Sequence, residues 1–208
     1  MPPNENICGV LLAGGQSRRM GGGDKCLAEL GGKTLLQRSV DVAVPQVSHI
    51  VLNTNSDPGQ FVSYGLPIVR DVVGGFAGPL AGVLTGMEWA RENAPACEWL
   101  ASFACDAPFV PTDLVALLLS AARSEAVDLA CASSAGRHHP VFALWPLTLA
   151  ADLRKALTEE GIRKVDLWTA RHRLAVVDFG AEDADPFFNI NRPEDLAAAE
   201  KQLEALRA

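Results

Sequence analysis

A glycine-rich segment with three basic side chains follows the first apolar run of the chain. It extends from Leu12 to Lys25 and reads LAGGQSRRMGGGDK. Glycines let backbone N–H groups approach an anion closely and adopt conformations that other residues avoid. Arginine offers a forked donor for phosphate oxygens, and lysine offers a compact charge. Because a triphosphate needs cations in addition to amides, Arg18, Arg19 and Lys25 make this segment a predicted phosphate-binding site.

Two common phosphate motifs do not fit this segment. The dinucleotide fingerprint needs G-x-G-x-x-G, and Gly14-Gly15 does not have that spacing. A P-loop needs G-x-x-x-x-G-K-[ST]; Gly32-Lys33-Thr34 matches its end, but its first glycine would fall on Leu27. The alternative interpretation is a tight turn between a strand and a helix, with solvated arginines.

A single aspartate, Asp106, follows the apolar stretch Trp99–Cys105. Mg²⁺ prefers one or two carboxylates together with phosphate oxygens and water. A carboxylate at the end of a buried strand is suited to present Mg²⁺ to a bound phosphate. The alternative is a turn or N-cap aspartate ahead of Pro108. Transfer between phosphates depends mostly on positioning and charge, so no Ser-His-Asp or Cys-His constellation is expected.

The elements that must position these residues are visible as apolar runs of strand length between segments of helical period. The predicted strands are 7–12, 49–53, 67–71, 99–105, 127–133, 140–145 and 173–179, with a short apolar segment at 188–191. The predicted helices are 34–44, 79–90, 111–123 and 193–206, with two more that begin near 147 and 162. This alternation is typical of a parallel sheet covered on both faces, and the two consecutive strands after residue 127 predict a mixed sheet.

The first predicted strand ends at the glycine segment. Three other strands end at polar residues, which are Asn53, Asp71 and Asp106. In open α/β sheets, ligands bind outside the carboxyl ends of the strands. We therefore expect these residues to converge on one edge of the sheet. No repeat or linker divides the chain, so residues 1–208 are predicted to form a single domain.

Composition excludes several classes of protein. The 208 residues are 49% hydrophobic and carry a formal net charge of −7. That content is too apolar for a disordered chain, and the acidic balance predicts no nucleic-acid partner. The longest aliphatic run, 114–119, is too short to span a bilayer, and no secretory signal is recognisable, so no membrane partner is expected. Five scattered cysteines without a C-x-x-C pair favour a reducing compartment, which predicts a cytoplasmic protein.

The glycine segment resembles the signature of nucleotidyltransferases that attach a nucleoside monophosphate to a phosphorylated acceptor. The form L-A-G-G-x-x-x-R-M-G-G-x-D-K, with Arg19 and Met20 in the R-M places, is the one seen in the molybdenum cofactor guanylyltransferases of the molybdopterin nucleotidyltransferase family. Further matches follow in the same order along nearly the whole chain: Asn53, Asp71, GPLAG at 78–82, CDAP at 105–108, His139-Pro140 and NINRPEDL at 189–196.

This resemblance implies a fold, a reaction and a set of site residues. The fold is a Rossmann-like, three-layer αβα domain with a mostly parallel, mixed central sheet, similar to the nucleotide-diphospho-sugar transferases. The reaction transfers GMP from GTP to the terminal phosphate of molybdenum-molybdopterin, releases pyrophosphate, and uses Mg²⁺ held by Asp106. The implied catalytic residues are Arg19, Lys25 and Asp106. The implied nucleotide-binding residues are Leu12, Ala13, Gly14, Gly15, Lys25, Asn53, Asp71, Gly78, Pro79 and Asp106.

The same resemblance implies transient contact with other cofactor-biosynthesis proteins and molybdoenzyme chaperones, and leaves several roles open. Asp71 contacts the base, the ribose or only neighbouring backbone. Asn191 is either a second metal ligand or, like Asn189, a cap of the last helix. We interpret His139-Pro140 as a loop near the acceptor site. Residues 161–164 either hold the pterin phosphate or form an exposed, charged helix end.

Two other functions remain as alternatives. The first is a cytidylyltransferase that modifies the same cofactor with CTP; that group resembles L-A-A-G and lacks a close match to G-P-L-A-G, so Gly14-Gly15 and 78–82 favour GTP. The second is a non-catalytic protein that binds GTP or the cofactor and delivers it. Intact Arg19, Lys25 and Asp106 favour an enzyme over this delivery protein. A sugar-phosphate nucleotidylyltransferase is disfavoured by the short chain.

Overall fold

Seven strands of the computed structural model, which describes residues 4–14, 24–75, 78–181 and 184–205, form one central sheet. The strands are β1 (Asn4–Leu12), β4 (Val47–Asn53), β5 (Ile68–Val69), β6 (Trp99–Ala104), β7 (Leu129–Ser134), β8 (Arg137–Pro146) and β9 (Leu174–Asp178). The sheet order is β5-β4-β1-β6-β8-β7-β9. The pairs β1–β4, β4–β5, β1–β6 and β7–β9 are parallel, and β8 is antiparallel to both β6 and β7.

A separate small hairpin lies between β1 and β4. It pairs β2 (Glu29–Leu30) with β3 (Lys33–Thr34) in antiparallel register. Gly31 and Gly32 both have positive φ, 57° and 79°, which suits a tight hairpin turn. The sequence analysis did not predict this hairpin, because two-residue strands are too short to show a period.

Helices cover both faces of the sheet, and each face has its own buried apolar cluster. The cluster on one face includes Leu36 of α1 and Leu118 of α3. The cluster on the other face includes Leu84 of α2, Leu153 of α4 and Trp168 of α5. The helices are α1 (Leu35–Ala43), α2 (Pro79–Asn93), α3 (Leu114–Ser124), α4 (Ala150–Thr158), α5 (Val165–Thr169) and α6 (Pro193–Ala205). This arrangement confirms the predicted three-layer fold with a mixed, mostly parallel sheet.

The last helix packs away from the two main clusters. Ala199 of α6 is buried in a small group with Leu30, Leu35 and Ile190. Asp195 accepts hydrogen bonds from the backbone N–H of Asn191 (2.8 Å) and of Arg192 (2.9 Å), which satisfies donors at the start of the helix. The chain just before α6 is thereby held in a defined place.

One predicted boundary was wrong. β8 begins at Arg137, so His139-Pro140 belongs to a strand and not to the loop that the sequence suggested. A proline and several polar residues at the start of β8 hide the strand period, and tertiary contacts decide the conformation. The short apolar segment at 188–191 lies outside the sheet, and its Ile190 N donates to Asp106 O at 2.9 Å. None of the described helices is long and apolar enough to cross a membrane.

Candidate active site

Four parallel strands end at the same edge of the sheet and bring the predicted polar residues together. β1 pairs with β4 up to Leu12 and Asn53, and with β6 up to Leu12 and Ala104. Ala13 N donates to Asn53 O at 2.9 Å just beyond the last pair. Asp71 follows β5, and Asp106 follows β6. The convergence expected from the sequence is therefore present.

These strand ends line one cleft with a volume of about 870 Å³. Sites for small molecules usually measure roughly 300–1,000 Å³, so this cleft is near the upper end of that range. Gly15 and Arg19 lie outside the described residues. The predicted site residues that line the cleft are Leu12, Ala13, Gly14, Lys25, Asn53, Asp71, Gly78, Pro79 and Asp106.

Lys25 and Asp106 form an ion pair in this cleft. Lys25 Nζ donates to Asp106 Oδ2 at 2.6 Å and to Asn191 Oδ1 at 2.6 Å. The side chains of Lys25 and Asp106 are only 16% and 25% exposed. Because the side-chain oxygen of Asn191 binds Lys25, Asn191 does not serve only as a helix cap; Asp195 performs that role instead.

Local structure around residue 25 explains how the lysine reaches the aspartate. A short 3-10 helix spans Lys25–Leu27, preceded by Asp24 in an extended conformation. The hydroxyl of Ser56 donates to Asp24 Oδ1, which ties this turn to the loop after β4. The turn therefore has a fixed position relative to the edge of the sheet.

The second carboxylate oxygen of Asp106 has an unusual environment. Asp106 Oδ1 is buried and has no hydrogen-bond partner among the described residues. An unpaired buried carboxylate oxygen is costly, so this atom favours a cation or another donor. No group of three or more His, Cys, Asp or Glu side chains in the described ranges is arranged to hold a metal. A cation here would take one carboxylate together with phosphate oxygens and water, the ligand set that Mg²⁺ prefers.

At the other side of the cleft, two amides hold the carboxylate of Asp71. Asn53 Nδ2 donates to Asp71 Oδ1 at 2.9 Å, and Asn55 Nδ2 donates to Asp71 Oδ2 at 2.8 Å. Asp71 N in turn donates to Asn55 Oδ1 at 3.0 Å. Asn55 was not predicted from the sequence, although its spacing of two residues from Asn53 in a turn-forming stretch was an available signal.

Helix α2 approaches the sheet so closely that only glycine fits at one position. A Cβ atom on Gly82 would lie 2.4 Å from Asn53 Oδ1 and 2.5 Å from Leu12 Cδ2. The N-cap of the helix is Gly78, with φ of 72°, and Pro79 occupies the first turn. The G-P-L-A-G run therefore sets α2 directly against Asn53 in the wall of the cleft.

Two cysteines also line the cleft but are not suited to nucleophilic chemistry. Burial, reinforced by the charge of Asp24, raises the pKa of the Cys26 thiol to about 12. Burial raises the pKa of the Cys105 thiol well above its usual value. Both sulfurs therefore remain protonated near neutral pH, and a thiol is a weak nucleophile in that state.

The first half of β8 forms a further wall of the cleft. Since β8 runs against its neighbours, its first residues lie at the edge where the other strands finish. Arg137, His138, His139 and Asn189 all line the cleft. Arg137 was not predicted from the sequence; its position after Gly136 and before two histidines was the available signal.

The segment 161–164, a candidate for holding the pterin phosphate, does not line the cleft among the described residues. The Arg163 guanidinium instead donates to the carbonyl oxygens of Leu157 and Ile162.

Comparison with known proteins places this geometry in a family. The model of the MobA-like NTP transferase domain matches residues 9–174. A molybdenum cofactor guanylyltransferase from Rhodopseudomonas palustris is 51% identical over 192 residues, which cover 92% of this chain and 91% of the relative. Another from a Bradyrhizobium species is 51% identical over 195 residues, covering 94% and 92%. The crystal structure of molybdopterin-guanine dinucleotide biosynthesis protein A from Archaeoglobus fulgidus has the same fold, with a TM-score of 0.73, 23% identity, and coverage of 95% and 99%.

Proposed function

Because the chain belongs to the MobA-like NTP transferase family, we propose that it is a molybdenum cofactor guanylyltransferase like its relatives at 51% identity. It transfers GMP from GTP to the terminal phosphate of molybdenum-molybdopterin. An oxygen of that phosphate forms a bond to the α-phosphorus of GTP, and the bond between the α-phosphorus and the bridging oxygen to the β-phosphate breaks. The products are pyrophosphate and the guanine dinucleotide form of the cofactor.

The observation that carries this proposal is the contact of Lys25 with Asp106 in the cleft. The reaction brings two anionic phosphates together, so the site must offset their repulsion. Lys25 supplies a positive charge that the partly buried cleft screens less than bulk water does. We propose that Lys25, with Arg19, holds the triphosphate and stabilises the departing pyrophosphate.

We further propose that Asp106 holds Mg²⁺. The support is the buried Asp106 Oδ1, which has no hydrogen-bond partner among the described residues. Asn191 is the second candidate ligand, because its side-chain oxygen lies beside Asp106 on the same lysine. Mg²⁺ bound there would supply charge stabilisation for the phosphate oxygens. Lys25 Nζ donates to the side chains of both Asp106 and Asn191, so it lies between them.

The nucleoside is assigned to the other side of the cleft. Guanine presents N1–H and an exocyclic amine as adjacent donors, and Asp71 is a carboxylate whose two oxygens are oriented by Asn53 and Asn55. Each carboxylate oxygen has two lone pairs, so each accepts a second hydrogen bond. We propose that Leu12, Ala13, Gly14, Gly15, Asn53, Asp71, Gly78 and Pro79 surround the nucleotide at this side.

The proposed setting is the cytoplasm, with transient contact with cofactor-biosynthesis proteins and molybdoenzyme chaperones that receive the product. The support is the state of the five cysteines, which are all buried and free. Unpaired thiols are typical of a reducing compartment.

Release of pyrophosphate tests the function directly. The protein is incubated with Mg²⁺ and GTP, CTP or ATP, each with and without molybdenum-molybdopterin. The proposal expects release that requires both GTP and the acceptor. Release with CTP in place of GTP would identify a cytidylyltransferase. Tight binding of GTP without turnover would identify a delivery protein.

A further inference from the structure

The first residues of β8 form a wall of the cleft to which the nucleotide assignment gives no role. Arg137 pairs with Ser134, and His139 pairs with Ala132, across the hairpin between β7 and β8. The turn between the strands has positive φ at Ala135 (47°) and Gly136 (72°). Two left-handed residues in a row are the conformation of a tight hairpin, so the wall has a defined backbone.

The hydrogen bonds around His139 determine the tautomer of its neutral ring, that is, which of the two ring nitrogens is protonated. His139 is 8% exposed, and its Nε2 lies 2.7 Å from Ser134 Oγ. The Ser134 hydroxyl donates to Asp185 Oδ1 at 2.7 Å, and a hydroxyl has only one hydrogen. Ser134 Oγ must therefore accept from His139, so Nε2 carries a hydrogen. In the neutral ring, Nδ1 is then a bare acceptor.

His139 Nδ1 is the available polar atom of this ring. It has no hydrogen-bond partner among the described residues, and it is not among their buried unpartnered atoms. The ring lines the cleft while Nε2 is directed to Ser134. Burial lowers the pKa of His139, an effect that Arg137 and His138 reinforce and Asp185 opposes. The ring is thus neutral near pH 7, and the Nδ1 lone pair has no partner among the described residues.

The wall is also firmly supported from behind. The ring of Phe187 lies 4.7 Å from that of His139, and Phe187 N donates to Asp185 Oδ1 at 2.9 Å. The same stretch of chain continues to Asn191, which binds Lys25. One segment therefore fixes the distance between His139 and the Lys25 side of the cleft.

Arg137 adds a charge at the rim of this wall. Arg137 is exposed, and its side chain has no ion pair or hydrogen bond to any other residue in the described ranges. In a chain with a net charge of −7, an uncompensated guanidinium in a cleft is suited to bind an anion. A phosphate monoester matches both side chains. Its negative charge pairs with Arg137. Because its second pKa is near 6, a fraction of the molecules still holds a proton at neutral pH, and His139 Nδ1 is an acceptor for it.

We propose that Arg137 and His139 form the binding site for the phosphate of the acceptor, and that His139 Nδ1 accepts its proton; this rests on the proposed function. The O–H bond of the singly protonated phosphate breaks as the N–H bond at Nδ1 forms, which leaves a phosphate dianion beside an imidazolium. The carboxylate of Asp185 stabilises the imidazolium through Ser134. The dianion then attacks the α-phosphorus of GTP and pyrophosphate leaves. The product phosphate no longer holds a proton at neutral pH, so the ring releases its proton to water.

The test is steady-state kinetics with GTP, Mg²⁺ and molybdenum-molybdopterin on the full chain. Arg137→Ala is expected to raise the KM for the acceptor about tenfold or more, with Arg137→Lys intermediate and the KM for GTP unchanged. His139→Gln keeps a donor for Ser134 but has no base at the Nδ1 position, so kcat/KM for the acceptor is expected to fall about twofold or more at pH 6, where about half of the acceptor phosphate holds a proton. This deficit relative to the wild-type protein should shrink as the pH rises to about 8, because the phosphate is then a dianion and needs no base.

Matched controls come from surfaces away from the cleft. Arg123→Ala removes an exposed arginine in the last turn of α3, and His49→Gln removes an exposed histidine near the start of β4. Both should retain wild-type kinetics, and thermal unfolding verifies that every variant is folded. Unchanged kinetics for the acceptor in Arg137→Ala and His139→Gln, or a rise in the KM for GTP alone, would overturn this inference. Absence of any acceptor-dependent pyrophosphate release by the wild-type protein would overturn the proposed function as well.

Discussion

Lys25 Nζ lies 2.6 Å from Asp106 Oδ2, although 81 positions separate the two residues in the chain. The lysine follows the first strand, and the aspartate follows the neighbouring strand β6. Their pairing is a consequence of parallel strands that end at one edge. The pair therefore lies outside the carboxyl ends of the parallel strands, which is where ligands bind in open α/β sheets.

Lys25→Ala and Asp106→Ala are each expected to leave the protein folded and to reduce turnover by at least about 10²-fold. In the proposed reaction the lysine stabilises charge that develops on the phosphates and the aspartate holds Mg²⁺, and the loss of one such group typically has an effect of this size. The measurement is pyrophosphate release at saturating GTP. Lys33→Ala is the control, since Lys33 forms an equally short pair with Asp41 on the surface. Wild-type turnover in either folded cleft variant would contradict the assignment.

Gly82→Ala is expected to weaken both folding and GTP binding. The added Cβ would lie 2.4 Å from Asn53 Oδ1, so either α2 or Asn53 must move. Overpacking of this kind typically costs about 1–3 kcal/mol of unfolding free energy. Denaturant unfolding and the KM for GTP are the measurements. Gly74→Ala, where no atom lies within 4 Å of the added Cβ, should change neither quantity.

Asn55→Ala is expected to raise the KM for GTP with little change in kcat. The variant frees Asp71 Oδ2 from its 2.8 Å hydrogen bond, so the carboxylate is held only through Asn53. A double-mutant cycle with Asp71→Ala should give less than the sum of the two single effects, because both changes act on one carboxylate. Asn93→Ala at the end of α2 is the control. Full additivity would show that Asn55 acts independently of Asp71.

The low pKa of His139 predicts a loss of stability in mild acid. Burial holds that pKa below the usual 6.5. Between the pKa of His139 in the folded protein and the ordinary value of 6.5, the unfolded chain binds a proton at this residue and the folded protein does not. The contribution of neutral His139 to the unfolding free energy is therefore fully present above pH 6.5 and is lost as the pH falls through the pKa of the folded protein. The unfolding free energy of the wild-type protein should therefore fall between pH 7.5 and 5.5, and that of His139→Gln should fall less. His49→Gln, at an exposed position near the start of β4, should behave like the wild-type protein.

The site residues at the strand ends could be predicted from the sequence because a short local pattern determines where each strand ends. A buried apolar run followed by a polar residue predicts both the strand and the edge at which it ends, and Asn53, Asp71 and Asp106 all follow this rule. Gly14 and Lys25 of the glycine segment, which also line the cleft, were predicted from the residue types and spacing of that segment. Asn55 was not predicted, because an asparagine in a turn two residues after a strand end has the same sequence pattern whether or not a carboxylate lies beside it.

The sequence by itself determined the αβα architecture, the edge of the sheet that carries the cleft, and the residues that end its parallel strands, since all three follow from local apolar periods. Only the tertiary structure decided that β8 reverses direction and brings Arg137 and His139 to that edge. It also decided that Asn191 contacts Lys25 instead of only capping α6. Strand direction and contacts across more than a hundred residues depend on how whole elements pack, and no local pattern in the chain records them.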